Sequence, residues 1–336
     1  MTRSIGIDLH KTKFSVCFLT ASSSRYKEYM MFELANFIKE LDSSDKVALE
    51  ATGNSRYFSE QLRQHVSEVV IVNPKQFRII SDSVQKTDKK DAEQLALFLS
   101  KGMLPTVRNQ DELSLQIKSL VHTRDRLVKL RTSLKNKIHN ILNAHGIVSK
   151  RASLSSKKGL AKILKSDVPE IACLELEVIV SQIEHLNSGI SKLDKEIESQ
   201  GSKLKGFANI TSIKGIGSKS GSILLSVIGN IDDFPSRKQL DSYFGIVPRI
   251  SISNERVHYG RITKQGNKLG RTTLVQCTLI AIRYSDYLNS YYQRLKIKKG
   301  SGKAIIATSR KLLGIIYDTL KYDWIFDDFS NFVVVR

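Results

Sequence analysis

Short apolar runs separated by polar segments open the chain, and their order predicts a mixed sheet. Residues 4–10 and 14–19 flank a polar HKTK segment, which is the pattern of a β-hairpin, and residues 28–33 could add a third strand. The elements predicted next are a helix in LANFIKEL, a strand at 46–52, a helix from about 55 to 66, a strand at 68–74 and a helix at 88–101. Three consecutive strands followed by strands that alternate with helices predict an α/β domain with helices packed on a mixed sheet.

The middle of the chain changes to a helical period. Apolar residues recur every three or four positions over residues 113–141, with an interruption at Arg124, which predicts a long amphipathic helix. A basic, serine-rich break at 149–159 precedes a second series at 176–197, which keeps this spacing over three heptads. The second series favours a coiled-coil seam, and two core helices of a globular bundle are the alternative. Either way, the region is predicted to be a connector or an oligomerisation element.

The last third is predicted to be mostly helical. The segment IKGIG at 213–217 precedes a helical SGSILLSVIG, and a glycine turn at a helix N-terminus is the pattern of a helix-hairpin-helix DNA-binding element. Lys214, Gly215 and Gly217 are therefore candidate nucleic-acid contacts, although a tight glycine turn between packed helices has the same sequence pattern. Further helices are predicted at 239–245, 276–284 and 304–320, with a loop or short hairpin at 246–270.

These changes of pattern divide the chain into four predicted parts. Residues 1–105 form the sheet domain, 106–203 a helical coiled-coil connector, 204–325 a mostly helical C-terminal domain and 326–336 a tail. The 336 residues suffice for two compact domains and a connector, since single cores stop growing at roughly 250–300 residues. The predicted fold class is α/β plus α.

Charge is the strongest compositional signal. The chain has 53 Lys and Arg against 33 Asp and Glu, a net charge of +20, and residues 201–336 carry 22 of these basic and nine of these acidic residues. Between Arg249 and Lys311, 14 basic residues face only Glu255 and Asp286. A solvated helix face usually mixes both signs, so this excess predicts that the C-terminal third binds a polyanion such as nucleic acid.

Several classes of protein are excluded by the sequence. No run of about 18 apolar residues could span a bilayer, and the N-terminus has no signal-peptide pattern, so a cytoplasmic protein is expected. Cys17, Cys173 and Cys277 lie far apart, which predicts buried free thiols and neither a disulfide framework nor a thiolate zinc site. The seven histidines form no HxH or HxxxH pair, which argues against zinc.

Four acidic residues in the first hundred positions could hold metal ions. Asp8 lies within an apolar strand, where a carboxylate is costly to bury unless it is paired, and Glu50 ends another apolar strand. Asp88 and Asp91 are three residues apart at a predicted helix start, so they project from one face. Together these acids could bind two Mg²⁺ ions for phosphodiester chemistry.

The same acids also have structural interpretations. Asp88 and Asp91 suit the positive end of a helix dipole, and Glu50 could be an ordinary residue at a strand end. His10 could assist the acids because it lies on the same side of the strand as Asp8, but a capping or solvated role is favoured. The residues alone therefore leave a metal-dependent nuclease and a plain mixed-sheet domain both open.

Sequence motifs at both ends of the chain resemble one family. IGIDLHK, ALEATGN, VNP and KTDKKDAEQLA resemble blocks of the DEDD transposases of bacterial insertion sequences, whose N-terminal domain is similar to the Holliday-junction resolvase RuvC. ITSIKGIGSKSGSILLSVIG, DDFPSRKQLDSYFGIVPR and GRITKQGNKLGRTTL resemble that family's second domain. Related site-specific DNA invertases share the arrangement. The resemblance implies a ribonuclease-H-like N-terminal fold and a transposase or site-specific DNA recombinase.

The resemblance also implies roles for individual residues. Asp8, Glu50, Asp88 and Asp91 would be the catalytic metal-binding acids, with Mg²⁺ as the cofactor. A serine nucleophile is expected in the block GIVPRISISN at 245–254, where the family usually has Ser-Gly and this chain has Ser253-Asn254. Ser253 is therefore the expected nucleophile, and Ser251 is the alternative. The basic residues expected to clamp the DNA backbone are Arg249, Arg256, Arg261, Lys264, Lys268 and Arg271.

Partners follow from the same resemblance. It implies DNA at the element ends and target, a covalent phosphoserine–DNA intermediate, a structured noncoding RNA that guides target choice, and a homo-oligomer, either a dimer or a tetramer of two dimers. A junction-type endonuclease that uses water as its nucleophile is the alternative enzyme. A nucleic-acid-binding scaffold without catalysis is the non-enzymatic alternative.

Overall fold

The computed structural model describes residues 2–74, 76–77, 87–108, 110–253 and 256–326, with the backbone alone for 252, 253, 256 and 257. The chain divides into two compact units, Met1–Asn109 and Gln110–Arg336. The tail at 327–336 lies outside the described residues.

The first unit contains a five-stranded sheet with helices on both faces. Its strands are β1 (Ser4–Leu9), β2 (Lys13–Leu19), β3 (Ser24–Met30), β4 (Lys46–Glu50) and β5 (Glu68–Val72). Its helices, within the described residues, are α1 (Leu34–Ile38), α2 (Ser55–Leu62) and α3 (Asp88–Ser100). The strand order is β3-β2-β1-β4-β5, with β1, β2 and β3 antiparallel and β1, β4 and β5 parallel. The predicted mixed sheet is confirmed.

Alternation of side chains gives this sheet two different faces. Ile5, Ile7 and Leu9 of β1 lie in an apolar core with Phe14, Phe37 and other buried side chains beneath α1 and α2. The opposite face carries Gly6 and Asp8 and lies against α3. Residues on one face of a strand recur every second position, so the acid necessarily shares the α3 face with the glycine.

The third strand differs from its prediction. Residues 28–33 were predicted to be extended, but β3 occupies Ser24–Met30 and Met31–Glu33 form a turn of 3₁₀ helix. The Glu33 carboxylate accepts a hydrogen bond from the Met30 backbone N–H at 2.7 Å, which starts helical structure at this point. Polar residues before Glu28 pair with β2, and the guanidinium of one of them, Arg25, covers the Phe18 ring at 4.4 Å.

The second unit is mostly helical. Its helices are α4 (Glu112–Ala144), α5 (Lys157–Ile163), α6 (Glu170–Gly201), α7 (Phe207–Ser212), α8 (Ser218–Ile228), α9 (Arg237–Tyr243), α10 (Lys268–Ala281), α11 (Asp286–Lys299) and α12 (Ser301–Lys321). Its strands β6 (Pro248–Ser253) and β7 (Arg256–Ile262) form a hairpin. The helices α5, α7 and α11 were not predicted, because α5 and α11 bury few residues and α7 is short.

The two long helices pack against each other in antiparallel orientation. Arg124 of α4 forms an ion pair with Asp194 of α6 at 2.8 Å, and Lys137 pairs with Glu175 at 2.8 Å. The apolar series of α6 is buried against α4 of the same chain and includes Ile179, Ile183, Ile190 and Ile197. The heptad-like apolar face of α6 is therefore buried within one chain.

The last helices enclose the largest apolar core of the second unit. Phe244, Leu274, Leu312 and Ile316 are all fully buried there. No helix in the described part of the chain is long and apolar enough to cross a membrane. Cys17 and Cys277 are buried free thiols as predicted, whereas Cys173 is partly exposed because it lies on the outer side of α6.

Candidate functional site: an acidic sheet edge and a basic hairpin

Two of the predicted acids lie at the ends of neighbouring parallel strands. Ile7 of β1 pairs with Leu49 of β4, and each of these residues is followed by an acid, Asp8 and Glu50. Because partners in a parallel register point to the same side, both carboxylates belong to the face covered by α3. Both acids are partly buried. The sheet register therefore brings Asp8 and Glu50 to one edge.

The other two acids occupy the first turn of α3. Thr87 caps this helix, with its hydroxyl accepting a hydrogen bond from the Lys90 backbone N–H at 3.3 Å. Asp88 and Asp91 follow the cap and are partly exposed. Their positions near the helix N-terminus are those where negative charge is stabilised. The cap thus fixes where α3 begins, and a carboxylate oxygen of Asp88 then lies within 4.8 Å of the ligand atoms of Asp8 and His10.

Close packing holds the start of α3 at the strand end. A Cβ atom built on Gly6 would lie 2.0 Å from the carbonyl oxygen of Ala92 and 2.5 Å from the amide nitrogen of Ala96. Only a residue without a side chain allows this approach. Gly6 is two residues from Asp8, and Ala92 is one residue from Asp91. The glycine therefore sets the distance between the strand acid and the helix acids.

His10 joins two of the acids. Its Nε2 atom lies 3.1 Å from Asp8 Oδ2 and 3.4 Å from Asp88 Oδ2. The His10 side chain is 45% exposed, in keeping with the favoured solvated role, and its ring also contacts both carboxylates, which was the other possibility. The two-residue spacing of Asp8 and His10 was the available signal for this contact, although β1 ends at Leu9.

A lysine completes the charge balance on the exposed side. Lys13 Nζ lies 3.3 Å from Asp88 Oδ2 and 3.0 Å from Glu28 Oε2. No sequence pattern pointed to Lys13, because its partners come from β3 and α3. Asp8 therefore contacts His10, which follows β1, and Asp88 contacts both His10 and Lys13 of β2.

The surroundings give the two acids opposite electrostatic properties. Burial raises the pKa of Asp8; the nearby His10 acts in the lowering direction, and the charges of Asp88 and Asp91 raise the pKa further. Burial also acts to raise the pKa of Asp88, but hydrogen bonding to Lys13 and the charge of His10 outweigh it, so the pKa of Asp88 is lowered. Burial and the neighbouring acids thus disfavour the charged form of Asp8 relative to a free aspartate, and a bound cation would offset this cost.

The donor set at this edge suits a divalent cation. One ligand atom from each of Asp8, His10 and Asp88 lies within 4.8 Å of the other two. Carboxylate oxygens are the ligands that Mg²⁺ and Mn²⁺ prefer, and an imidazole nitrogen is acceptable to Mn²⁺. The arrangement is compatible with a divalent metal held between β1 and α3, with Glu50 on the same face.

The serine block of the second unit forms a two-stranded ribbon. Ser251 pairs with His258 and Ser253 pairs with Arg256 across β6 and β7. Alternation puts these four residues on one face of the ribbon, and Ile250 and Tyr259 on the other. Ser251 and His258 are exposed. The fold therefore places both candidate serines opposite basic residues, although the side chain of Ser253 lies outside the described residues.

Glycines fix the base of this hairpin. A Cβ on Gly266 would lie 2.5 Å from the Tyr243 carbonyl oxygen and 2.6 Å from the Gly245 nitrogen. Gly245 has a φ of 65°, in the left-handed region that favours glycine, and its carbonyl accepts a hydrogen bond from Lys264 N–H at 3.1 Å. These contacts anchor the ribbon at its base.

The basic residues predicted to contact DNA separate into two groups. Arg249, Arg261, Lys264 and Lys268 are exposed on the hairpin and the start of α10. Arg271 is partly buried, with a pKa lowered by burial, and its Nη1 donates to the Phe244 carbonyl at 3.0 Å. The side chain of Arg256 lies outside the described residues.

The two glycines of the turn between α7 and α8 have different surroundings. Gly215 has a φ of 103°, and a Cβ there would lie 2.7 Å from the Ala281 amide nitrogen of α10. Gly217 has open space around it, and Lys214 is exposed. Close helix packing explains Gly215, whereas Lys214 and Gly217 remain accessible to a ligand.

Comparison with known families and proteins agrees with this pair of features. Residues 5–147 match the DEDD transposase family model of IS110, and residues 208–293 match the transposase model of the IS116/IS110/IS902 family. The chain is 24% identical over 327 residues to the transposase for insertion sequence element IS1111A of Coxiella burnetii, with 94% of this chain and 89% of that protein covered. It is 28% identical over 350 residues to the pilin gene-inverting protein of Moraxella lacunata, with 96% and 97% covered.

These similarities extend over both units and nearly the full length of the relatives. One matched region contains the acidic sheet edge, and the other contains the serine hairpin. The chain therefore contains the transposase domains of the IS110/IS116 family and is similar over nearly its full length to insertion-sequence transposases and a pilin gene-inverting protein.

Proposed function

We propose that this transposase cuts and rejoins DNA strands with a serine nucleophile assisted by Mg²⁺ at the acidic sheet edge. The observation that carries the proposal is the convergence of Asp8 and Asp88 on one nitrogen of His10, at 3.1 and 3.4 Å, with Glu50 in register beside Asp8. A sheet edge with this acid set supports a ribonuclease-H-like, RuvC-like assignment for residues 1–105.

In the proposed site Asp8, Glu50, Asp88 and Asp91 would hold Mg²⁺. A bound divalent ion would neutralise charge that develops on a phosphate during its displacement. The raised pKa of Asp8 supports this role, because the folded protein keeps a carboxylate where a cation would relieve its cost. His10 orients the two carboxylates that it contacts.

The serine step is a phosphoryl transfer. The Oγ of Ser253, or of Ser251 as the alternative, attacks a backbone phosphorus; one O–P bond forms, one bridging P–O bond breaks, and the released sugar oxygen takes a proton. The serine proton passes to a nearby base, for which His258 lies across from Ser251. Reversal of this step on a second strand rejoins the DNA without free ends.

Basic side chains position the DNA. Arg249, Arg256, Arg261, Lys264 and Lys268 are proposed to contact backbone phosphates around the serines, and Lys214 and Gly217 at a helix-hairpin-helix-like turn add contacts. Arg271 is proposed to support DNA binding indirectly, because its hydrogen bond to the Phe244 carbonyl stabilises the base of the hairpin.

The proposed assembly includes further partners. A structured noncoding RNA would guide target choice, and the +20 charge supports binding of both nucleic acids. The chain is proposed to form a homodimer, or a tetramer of two dimers, through the helical region 106–203. An exposed apolar stripe on α6 in this region supports the proposal and consists of Ile171, Leu174 and Val178. Residues 204–325 are the proposed serine-bearing transposase domain.

The test is a search for a covalent protein–DNA adduct. Purified protein, co-expressed with the flanking noncoding DNA of its element, is incubated with element-end DNA and Mg²⁺ and separated under denaturing conditions. We expect an adduct from the wild type and from Ser251→Ala, and none from Ser253→Ala or Asp8→Asn. An adduct lost only in Ser251→Ala would reassign the nucleophile.

A different outcome would favour the second enzyme. Cleaved DNA without an adduct in every variant, still dependent on Asp8, would indicate a metal-dependent junction endonuclease that uses water. Unchanged recombination after replacement of all four acids would remove both enzymatic proposals.

A further inference from the structure

The surface formed by α11 and Lys311 of α12 has an unusual composition. Within the fully described helix α11, only Leu288 is buried among 14 residues, so the helix contributes little to the core. Tyr287, Tyr291, Arg294 and Lys298 follow one another at spacings of four, three and four, which places them on one helix face. Sequence analysis did not predict α11, and the match to the second transposase domain ends at residue 293.

Two cations of this surface, Lys311 and Arg294, contact aromatic rings instead of carboxylates. Lys311 Nζ donates a hydrogen bond to the Tyr287 hydroxyl at 2.5 Å and lies 4.8 and 4.7 Å from the ring centroids of Tyr287 and Tyr291. The guanidinium carbon of Arg294 lies 5.6 Å from the Tyr291 ring. A ring orients a cation without cancelling its charge, so these groups remain available to an anion.

Further cations follow at the end of α11. Lys296, Lys298 and Lys299 lie in its last turn, and Lys303 follows in the first turn of α12. Together with Arg294, these side chains are all exposed, and none forms an ion pair with any described residue. The helix dipole favours one or two cations at a C-terminus. Five clustered positive charges repel one another, and an anionic partner would relieve that repulsion.

We propose that this surface, formed by Tyr287, Tyr291, Arg294, Lys298, Lys299 and Lys311, binds the phosphate backbone of nucleic acid. Lysine, arginine and tyrosine hydroxyl groups are typical phosphate contacts, and a rigid helix presents them along a line. The surface extends the proposed function by adding a nucleic-acid contact away from the serine hairpin. It depends on that proposal only for the presence of nucleic acid, and backbone contacts are common to DNA and RNA.

The test compares two charge-matched variants of the full-length protein. Lys298→Gln/Lys299→Gln removes two cations of the surface. The control, Lys129→Gln/Lys137→Gln, removes two exposed cations on α4 that already pair with Asp125 and Glu175 at 2.6 and 2.8 Å. Both variants lower the net charge equally, and none of the four lysines is in the proposed catalytic machinery.

Binding is measured by fluorescence anisotropy over a salt series. The probes are a 30-base-pair DNA duplex of arbitrary sequence and a duplex RNA of equal length. Each phosphate contact contributes about 0.9 to the slope of log K against log salt, so we expect the surface variant to reduce the slope by about 1.8 on DNA. The control should keep the wild-type slope. A reduction confined to one probe would assign the surface to DNA or to RNA.

A second variant tests the role of the rings. Tyr287→Phe keeps the ring but removes the hydroxyl that orients Lys311, and we expect about two- to tenfold weaker binding with a nearly unchanged slope. Equal slopes in the surface and control variants would overturn the proposal. Ser253→Ala should bind both probes as the wild type does, because this binding does not need the serine. A failure of the serine proposal would therefore appear in the adduct assay, whereas a failure of the surface proposal would appear in the salt dependence of binding.

Discussion

A Cβ atom at Gly6 would lie 2.0 Å from the Ala92 carbonyl oxygen, so α3 rests directly on the backbone of β1. This contact fixes the helix that carries Asp88 and Asp91 against the strand that carries Asp8. The acidic site therefore depends on a residue that has no chemistry of its own. Gly6 is important because it allows the backbones of β1 and α3 to approach each other closely.

Replacement of Gly6 by alanine should separate the acids. The added methyl group cannot be accommodated without moving α3, and we expect a loss of about 3 kcal/mol in the free energy of unfolding. Gly53→Ala is the matched control, because a Cβ there meets nothing within 4 Å. Urea unfolding of both variants, with and without Mn²⁺, measures the effect. Equal stability of the two variants would show that α3 does not press on Gly6.

Removing the charge of Asp8 and removing that of Asp88 should change the stability of the metal-free protein in opposite directions. Asp8→Asn should raise the stability of the metal-free protein, because burial and the neighbouring acids disfavour the charge of Asp8. Asp88→Asn should lower it by about 0.2–1 kcal/mol, because Lys13 and His10 stabilise that partly exposed carboxylate. Thermal unfolding without metal distinguishes the signs. Both variants should lose the rise in melting temperature that Mn²⁺ gives the wild type.

The contacts between Glu40 and the edge strand β3 should contribute less to the stability of the protein in acid. Lys27, Tyr29 and Arg25 donate to the Glu40 carboxylate at 2.6 to 2.7 Å, and the hydrogen bond from Lys27 is the main cause that lowers the pKa of Glu40 to about 2. A lowered pKa in the folded state adds stability above the unfolded value near 4.5, and this stability is lost as the pH falls toward 2.

Glu40→Gln measures this contribution. We expect it to cost about 1–2 kcal/mol at pH 7 and progressively less as the pH approaches 2, because the wild-type carboxylate is then protonated as well. Urea unfolding at pH 7, 4 and 2.5 follows the difference between the two proteins. A difference that does not change with pH would assign the cost to packing.

Arg271 and Lys268 should differ in the property that they affect. Arg271→Ala removes the donor to the Phe244 carbonyl at the hairpin base, so we expect a stability loss of about 1–3 kcal/mol as well as less DNA adduct. Lys268→Ala, at an exposed position on the same helix, should leave thermal unfolding unchanged and reduce the salt dependence of DNA binding. Unchanged unfolding of Arg271→Ala would make Arg271 a DNA contact like its neighbour.

Periodicity and motif order predicted much of the molecule. The alternation in residues 4–10 predicted a strand with Asp8 on one face, and the three–four spacing in 176–197 predicted a helix with the apolar residues that are now buried. Both patterns reflect the geometry of a single element, which depends on local backbone structure. The serine block was correctly left open as loop or hairpin, because its polar strands bury little.

Contacts between distant elements could be decided only by the tertiary structure. The sequence indicated that Asp8 and Asp88 could share a metal, but the bridging position of His10 and the contact of Lys13 depend on how β1, β2 and α3 meet. The apolar series of α6 favoured a coiled-coil seam over a globular bundle, and only the antiparallel packing on α4 showed that this face is buried within one chain. Local pattern determines which face of an element is apolar, whereas the partner of that face depends on the free energy of the whole fold.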